Sequence, residues 1–257
     1  MAIANYLITD PLFYALAVPA VLITGISKGG FASGGGNLFV PAVALLIPAP
    51  QAAAICLPIL CAMDIAGLRA WWGRWSKREM RVILPSGLLG IAIGAFAFGL
   101  MTDRAIKLMV GGIALAFLAR SLWLARGTAT SRPARPSVGR GGFWSAVSGF
   151  TSTIAHAGGP PLAVYLYPLR LERAQLAATT VVFFGMVNYV KLLPYALLGQ
   201  FSLSNMLTSL ALMPLAPVGV RLGVWLQGRV SDRLFYRLIY VLLGATGLKL
   251  VADGLGF

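Results

Sequence analysis

The length of the uncharged runs constrains this sequence more than any other feature. Residues 82–101, 174–190 and 192–220 contain no Asp, Glu, Lys or Arg. An α-helix needs roughly 20 mostly apolar residues to cross the hydrocarbon of a bilayer. Of the 257 residues, 58% are hydrophobic and 11% are charged, whereas soluble domains are about a quarter charged. The sequence therefore predicts an all-α integral membrane protein, a polytopic helical bundle.

The charge pattern and the scarcity of reactive side chains exclude several classes of function. The net charge is +14, but the basic residues cluster between the apolar runs, which is the usual bias of membrane proteins and not a nucleic-acid surface. Cys56 and Cys61 lie within one apolar segment and are expected to be buried thiols. With a single histidine and no metal-binding motif, no cofactor, metal or enzymatic activity is expected. The first apolar run, Leu12–Ile26, lacks a basic segment before it and is expected to be retained.

An internal repeat divides the chain into two units. Gly25 recurs 124 residues later as Gly149, and Asp103–Arg104 recurs as Asp232–Arg233. An ordered series of further matches lies between them. The predicted organisation is a first transmembrane repeat (1–125), a basic cytoplasmic linker (126–140) and a second transmembrane repeat (141–257), together forming one transmembrane domain.

Each repeat is predicted to hold a broken or re-entrant helix pair around a Gly-rich segment, followed by three transmembrane helices. Proline resists helix continuation and marks several of the boundaries. The predicted helices are 12–26, 37–48, 51–72, 80–100 and 104–125 in the first repeat, and 141–155, 160–169, 174–198, 203–228 and 233–253 in the second.

Corresponding loops of the two repeats differ in charge. The 69–81 segment is strongly basic while its counterpart 195–206 has no charge; the 48–51 loop has none while 169–174 carries Arg170 and Arg173. Positively charged loops stay in the cytoplasm, so the repeats are expected to be inverted, with both termini outside a cell inner membrane. Arg104 and Lys107 are the exceptions, since this topology places them outside.

The two Gly-rich segments, Gly25–Asn37 and Gly149–Pro161, are the predicted site. Secondary transporters built from inverted repeats bind substrate where such breaks meet near the bilayer centre. Backbone N–H groups at the following half-helices favour an anion, and ionisable groups inside a membrane are functional candidates. Asp64 and His156 are also candidates for ion coupling. The predicted substrate-binding residues are Ser27, Lys28, Gly29, Gly30, Ser33, Gly34, Gly35, Asn37, Thr151, Ser152, His156, Gly158, Gly159, Asn188 and Lys191.

Structural explanations compete with these assignments. The glycines would also serve close helix packing. The two lysines could extend to an interface. His156 could be a hydrogen-bonded core residue, and Asp64 could pair with Arg69 or another cation. Thr102–Arg104 and Ser231–Arg233 are predicted to be helix N-caps.

The chain resembles the TauE/SafE family of membrane permeases. The resemblance rests on the two Gly-rich segments, on Ala178–Tyr195 and on Gly219–Arg233, and it covers nearly the whole chain. It implies movement of small sulfur-containing anions such as sulfite, sulfoacetate or a related organosulfonate. The family motifs fall on Ser27, Lys28, Gly29, Gly30, Gly158, Gly159, Asn188 and Lys191.

The expected function is an exporter-type secondary transporter for such an anion, working by alternating access in a lipid bilayer. An anion channel on the same scaffold is the alternative. An enzyme and a non-transporting assembly subunit are the remaining hypotheses, and homodimerisation is left open.

Overall fold

The computed structural model describes residues 8–30, 37–126, 135–226, 229 and 232–256, and the described part contains helices and no strands. The first predicted repeat comprises α1 (Pro11–Gly30), α2 (Phe39–Val43), α3 (Ala49–Trp71), α4 (Lys77–Leu100) and α5 (Asp103–Arg126). The second comprises α6 (Val138–Ala155), α7 (Gly159–Leu166), a 3-10 turn (Tyr167–Leu169), α8 (Arg173–Leu197), α9 (Leu203–Leu212), α10 (Leu215–Leu226) and α11 (Asp232–Leu255).

Repeat-equivalent residues form the same local structure before the fourth predicted span of each repeat. Gly73 and Gly199 both end a helix with a positive φ, of 80° and 65°, which glycine adopts without steric cost. Ser76 and Ser202 then cap α4 and α9, each accepting a hydrogen bond from the backbone N–H three residues on. The first of the predicted Asp-Arg caps is also confirmed, because Thr102 Oγ1 accepts from Ala105 N at 3.3 Å. Ser231 lies outside the described residues.

The predicted end of the first helix is wrong. Helix α1 does not end near residue 26 but runs for 20 residues to Gly30, so the first half of the predicted break is helical. Helix α6 ends at Ala155, as predicted, but residues 149–155 of the second predicted break lie within this helix, which reduces that break to residues 156–158. The span predicted over 203–228 forms one candidate crossing over 203–226. It is interrupted between α9 and α10 at residues 213–214, because Pro214 lacks an N–H.

The helices pack in pairs that join one repeat to the other. Helix α1 lies along α10, α4 along α6, α3 along α8, and α5 along α11. The first two pairs are equivalent to each other. In each pair, the opening helix of one predicted repeat packs on the fourth span of the other. The largest apolar cluster of the described residues centres on α1, α2 and α3.

Glycines explain why these pairs approach so closely. A Cβ on Gly25 would lie 2.8 Å from the Cα of Gly219, and a Cβ on Gly149 would lie 2.0 Å from the carbonyl oxygen of Gly87. Such contacts leave no room for a side chain, as in small-residue helix crossings of membranes. The packing explanation is therefore confirmed for Gly25 and Gly149.

The two ends of the bundle differ in charge. At one end, the basic 69–81 segment meets the start of α8, where Ser76 N donates to Thr179 Oγ1 at 2.9 Å. At the other end, the uncharged loops meet, and Gln51 Nε2 donates to Asn205 Oδ1 at 3.0 Å. The two predicted repeats therefore contact each other at both ends of the bundle.

Length and composition suit the described helices to a bilayer. Six of them are long and apolar enough to cross one: 11–29, 49–69, 77–100, 103–123, 174–197 and 203–226. Their lipid-facing side chains include large apolar residues, for example Phe96 and Leu197, which are 73% and 79% exposed. These features define a multi-pass membrane protein.

Substitution of Gly149 by Ala tests the close α4–α6 contact. The added methyl group must displace the backbone of Gly87, and we expect a loss of about 1–3 kcal/mol in stability. The measurement is thermal unfolding of the purified protein in detergent. Gly112→Ala is the matched control, because no atom lies within 4 Å of its Cβ position. Equal melting temperatures for the two variants would contradict the packing role.

Candidate functional site

A group of polar side chains lies buried among α1, α3, α6 and α8, where apolar residues would be expected. Five of its members are buried and Lys28 is partly buried. Hydrogen bonds link them into two groups, one around Asp64 and one around Lys191. We name it the central polar cluster; it consists of Lys28, Asp64, Ser152, His156, Asn188 and Lys191.

The first chain of contacts centres on Asp64. Lys28, in the last turn of α1, forms a salt bridge with Asp64 Oδ1, and Asn188 Nδ2 donates to Asp64 Oδ2 at 2.6 Å. Both carboxylate oxygens are therefore satisfied, as a buried charge requires. Asp64 pairs with Lys28 and not with Arg69, and this pair is electrically neutral.

The second chain centres on Lys191, whose side chain has no exposed surface. Its Nζ donates to Ser152 Oγ at 2.9 Å and to the Ser152 carbonyl oxygen at 3.0 Å, and it lies 2.7 Å from His156 Nδ1. These three partners are formally neutral. The side chain does not extend to an interface, so that structural explanation is wrong for Lys191.

The contacts of His156 determine its tautomer. Its Nε2 lies 2.9 Å from the carbonyl oxygen of Ala53, which can only accept, so Nε2 carries the hydrogen. Nδ1 is then the acceptor that faces the Lys191 ammonium group. A neutral His156 beside a charged Lys191 satisfies every donor and acceptor of this pair.

The local backbone presents these groups. His156 terminates α6 in the left-handed conformation, with φ of 50°, which is uncommon for a residue other than glycine. Lys191 donates to a carbonyl in the last turn of α6, where a cation complements the helix dipole. On α8, Asn188, Lys191 and Tyr195 share one buried face, since residues three and four apart are neighbours on a helix.

Backbone N–H groups contribute less than the sequence predicted. Asn37 Oδ1 already accepts from Phe39 N at 2.9 Å at the start of α2. Helix α7 begins Gly159-Pro160-Pro161, and proline has no N–H. Two of the N–H donors expected in the first turn of α7 are therefore absent, while those of Gly158 and Gly159 remain.

The remaining predicted residues lie around the cluster in other roles. Ser27 is buried in α1 next to Lys28, and Gly29 packs against α10. Thr151 donates to backbone carbonyls of its own helix and of Ala157. The others are Gly30 at the end of α1, Asn37 bonded to Thr24 and Cys56, Gly158 bonded to Ser148, and Gly159 at the start of α7. Ser33, Gly34 and Gly35 lie outside the described residues.

Two features were missed from sequence. Tyr195 donates to the Thr153 carbonyl at 2.5 Å, and its ring lies 6.0 Å from that of His156. Its spacing of four residues from Lys191 was the available signal. Glu79, counted only as a loop charge, is buried and accepts a hydrogen bond from Tyr165 at 2.5 Å.

A small apolar cavity of about 20 Å³ lies near the cluster. Ala155 and Ala157, which flank His156, line it together with Pro160, Phe117 and Asn37. It has room for about one water-sized group, and apart from Asn37 its lining is apolar.

Ionisable groups inside a multi-pass membrane bundle are functional candidates, and Lys191 is such a group. The chain matches the family model described as sulfite exporter TauE/SafE over residues 17–250. It therefore belongs to the sulfite exporter TauE/SafE family, as its motifs predicted, and membership indicates an exporter-type transporter. No curated protein and no solved structure matches the chain.

Substitution of Asp64 by Asn tests the neutral pair. It leaves Lys28 without its counter-charge beside Lys191, and removal of one partner from a buried ion pair costs about 3–5 kcal/mol. We expect a large fall in thermal stability, with partial recovery when Lys28→Gln is added. The matched control is Asp253→Asn, whose partner Lys249 is exposed; exposed pairs contribute about 0–1 kcal/mol. Similar losses for the two single variants would contradict the proposed pairing.

Proposed function

We propose that the protein is a secondary transporter that moves a small sulfur-containing anion, such as sulfite, sulfoacetate or a related organosulfonate, out of the cell. The anion would bind at the central polar cluster, between the ends of α1 and α6. Family membership supports the substrate class, and the chemistry of the cluster supports an anion.

The observation that carries the proposal is the buried ammonium group of Lys191. A charge in low dielectric is stabilised by a counter-charge or by hydrogen bonds. Lys191 has hydrogen bonds, but the ion pairs among the described residues are Lys28–Asp64, Lys107–Asp103 and Lys249–Asp253. A bound oxyanion would supply the missing negative charge and accept from Lys191 and Ser152.

The apolar cavity supports an organic sulfonate in particular. A sulfonate joins an oxyanion to a hydrocarbon group on one sulfur atom. With the oxygens at Lys191, the nearby cavity has room for a group of about methyl size. This arrangement supports organosulfonates beside sulfite itself.

The inverted arrangement of the repeats is supported by the helix pairing. A two-fold axis in the membrane plane would exchange the α1–α10 pair with the α4–α6 pair and return α3–α8 and α5–α11 to themselves. These are the pairs that form the bundle. The basic loops meet at one end and the uncharged loops at the other, which supports opposite orientations for the repeats.

Alternating access is favoured over an open channel because most of the cluster is buried within the described part of the chain. Asp64, Lys191 and Asn188 are at most 3% exposed. Glu79–Tyr165 and Gln51–Asn205 are contacts between the repeats at the basic and uncharged ends. Breaking one set at a time would open the site to one side, as rocking of inverted repeats requires.

The membrane potential is sufficient to drive export. An inside-negative potential pushes an anion outward by about 2.3 kcal/mol per charge per 100 mV. No coupling ion is needed for outward movement of a monovalent anion. His156 and Asp64 stay candidates for coupling.

Substitution of Lys191 by Gln tests the anion site. Loss of a buried charged partner costs about 2–5 kcal/mol of binding free energy, so the affinity for methanesulfonate should fall roughly 30-fold or more. Binding is measured by calorimetry on purified protein, and transport by efflux from proteoliposomes. Lys249→Gln is the matched control, because its lysine lies on the surface of α11. Wild-type-like binding by the Lys191 variant would exclude the site.

Cysteine labelling tests the orientation. In a Cys56→Ala, Cys61→Ala background, we introduce Gln200→Cys in an uncharged loop or Arg74→Cys in the basic segment. A membrane-impermeant maleimide should label position 200 on intact spheroplasts and position 74 only after permeabilisation. Labelling of both positions from the same side would contradict the inverted topology.

A further inference from the structure

We propose that the site is built for one net negative charge, so that it takes monovalent sulfonates directly and takes a divalent anion only together with one proton, held by His156. This inference rests on the proposed function and specifies the charge of the substrate. It follows from a count of the acidic residues and their partners.

The count of acidic residues is decisive. The sequence holds seven Asp and Glu residues, and only Asp64 belongs to the cluster. Glu79 bonds to Tyr165, Asp103 pairs with Lys107, and Asp253 pairs with Lys249. Asp10 precedes α1, Glu172 precedes α8, and Asp232 begins α11. With Lys28 neutralised by Asp64, the formal charge of the cluster is that of Lys191 alone.

The repeat shows how this single charge arises. At the offset of 124 residues, Lys28 corresponds to Ser152 and Asp64 corresponds to Asn188. The first repeat thus contributes an ion pair, and the second contributes its neutral equivalent. Lys191 corresponds to Gly67, which carries no charge, so Lys191 alone adds net charge to the cluster.

The carboxyl end of α6 offsets this charge only in part. Its dipole is equivalent to about half an elementary negative charge, and Lys191 contacts one of its last carbonyls. That contact stabilises the ammonium group in the absence of substrate. It does not supply the full charge of an anion.

A second negative charge needs a second positive one, and His156 can provide it. Its Nδ1 faces Lys191 and accepts; when a divalent anion occupies Lys191, a proton from solvent can bond to Nδ1, while Nε2–H still donates to Ala53. The other titratable groups facing this pair are Cys56, Cys61 and Asp64 on α3, Lys28 on α1 and Tyr195 on α8. Asp64 is committed to Lys28 and Asn188, and the hydroxyl of Tyr195 donates to Thr153. Both thiols are buried, and Cys56 Sγ accepts a hydrogen bond from Asn37 Nδ2.

Methanesulfonate and sulfate separate charge from shape, because both present a tetrahedral sulfur with three oxygens and they differ in a methyl group against a fourth, charged oxygen. Calorimetric titration of the full-length protein between pH 6 and 8.5 should show that the ratio of sulfate affinity to methanesulfonate affinity rises as pH falls. This ratio should approach a roughly tenfold gain per pH unit, as uptake of one additional proton requires. Titration in buffers of different ionisation enthalpy should show one more proton taken up with sulfate than with methanesulfonate.

His156→Gln keeps the neutral contacts without the proton, since an amide can donate to Ala53 and accept from Lys191. Sulfate binding to this variant should lose its pH dependence. Proton uptake by the wild-type protein gives an independent result if the variant does not fold.

The outcomes are distinguishable. Sulfate binding without proton uptake and with the affinity of methanesulfonate would overturn the charge rule while the anion-transport function stands. Proton uptake that persists in His156→Gln would overturn the assignment to His156. Failure of the wild-type protein to bind methanesulfonate, sulfate or sulfoacetate would overturn the proposed function, and the charge rule with it.

Discussion

The cost of burying charge in a membrane interior governs the arrangement of this protein. An ion in low dielectric needs a counter-charge or several hydrogen bonds, and the chain brings four helices together to provide them. Asp64 of α3 joins Lys28 of α1 to Asn188 of α8, while Ser152 of α6 supports Lys191. The cluster therefore ties the two repeats to one another at the place where the solute would bind.

Small residues make this convergence possible. Helices that cross at Gly25–Gly219 and at Gly149–Gly87 approach to backbone contact, which places the ends of α1 and α6 close to α3 and α8. Two glycines first interpreted as parts of flexible breaks are thus packing positions within helices. The polar side chains Lys28 and Ser152 follow them by three residues, and helical geometry sets them beside α3 and α8.

The two predicted repeats share local structure and differ at the central polar cluster. Caps, glycine turns and helix pairs agree between the repeats. The central positions differ instead: an ion pair in one repeat faces its neutral equivalent in the other, and Lys191 is added to one side. Two identical repeats would contribute the same charge each, so their sum would be even. A site with a single net charge therefore requires a difference between the repeats.

The sequence alone determined the class of protein and its family, and it predicted the duplication and the candidate site residues. Long uncharged runs need a bilayer, and the repeated glycines and motifs indicated the family; Lys28, Asp64, His156, Asn188 and Lys191 stood out because charge and polarity are costly there. Only the tertiary structure decided how these side chains pair, since Lys28–Asp64 and Ser152–Lys191 join residues on different helices. Glycine permits both a break and a close crossing, so composition could not fix where α1 and α6 end. The partner helix decides this, because α10 and α4 fill the space beside those glycines.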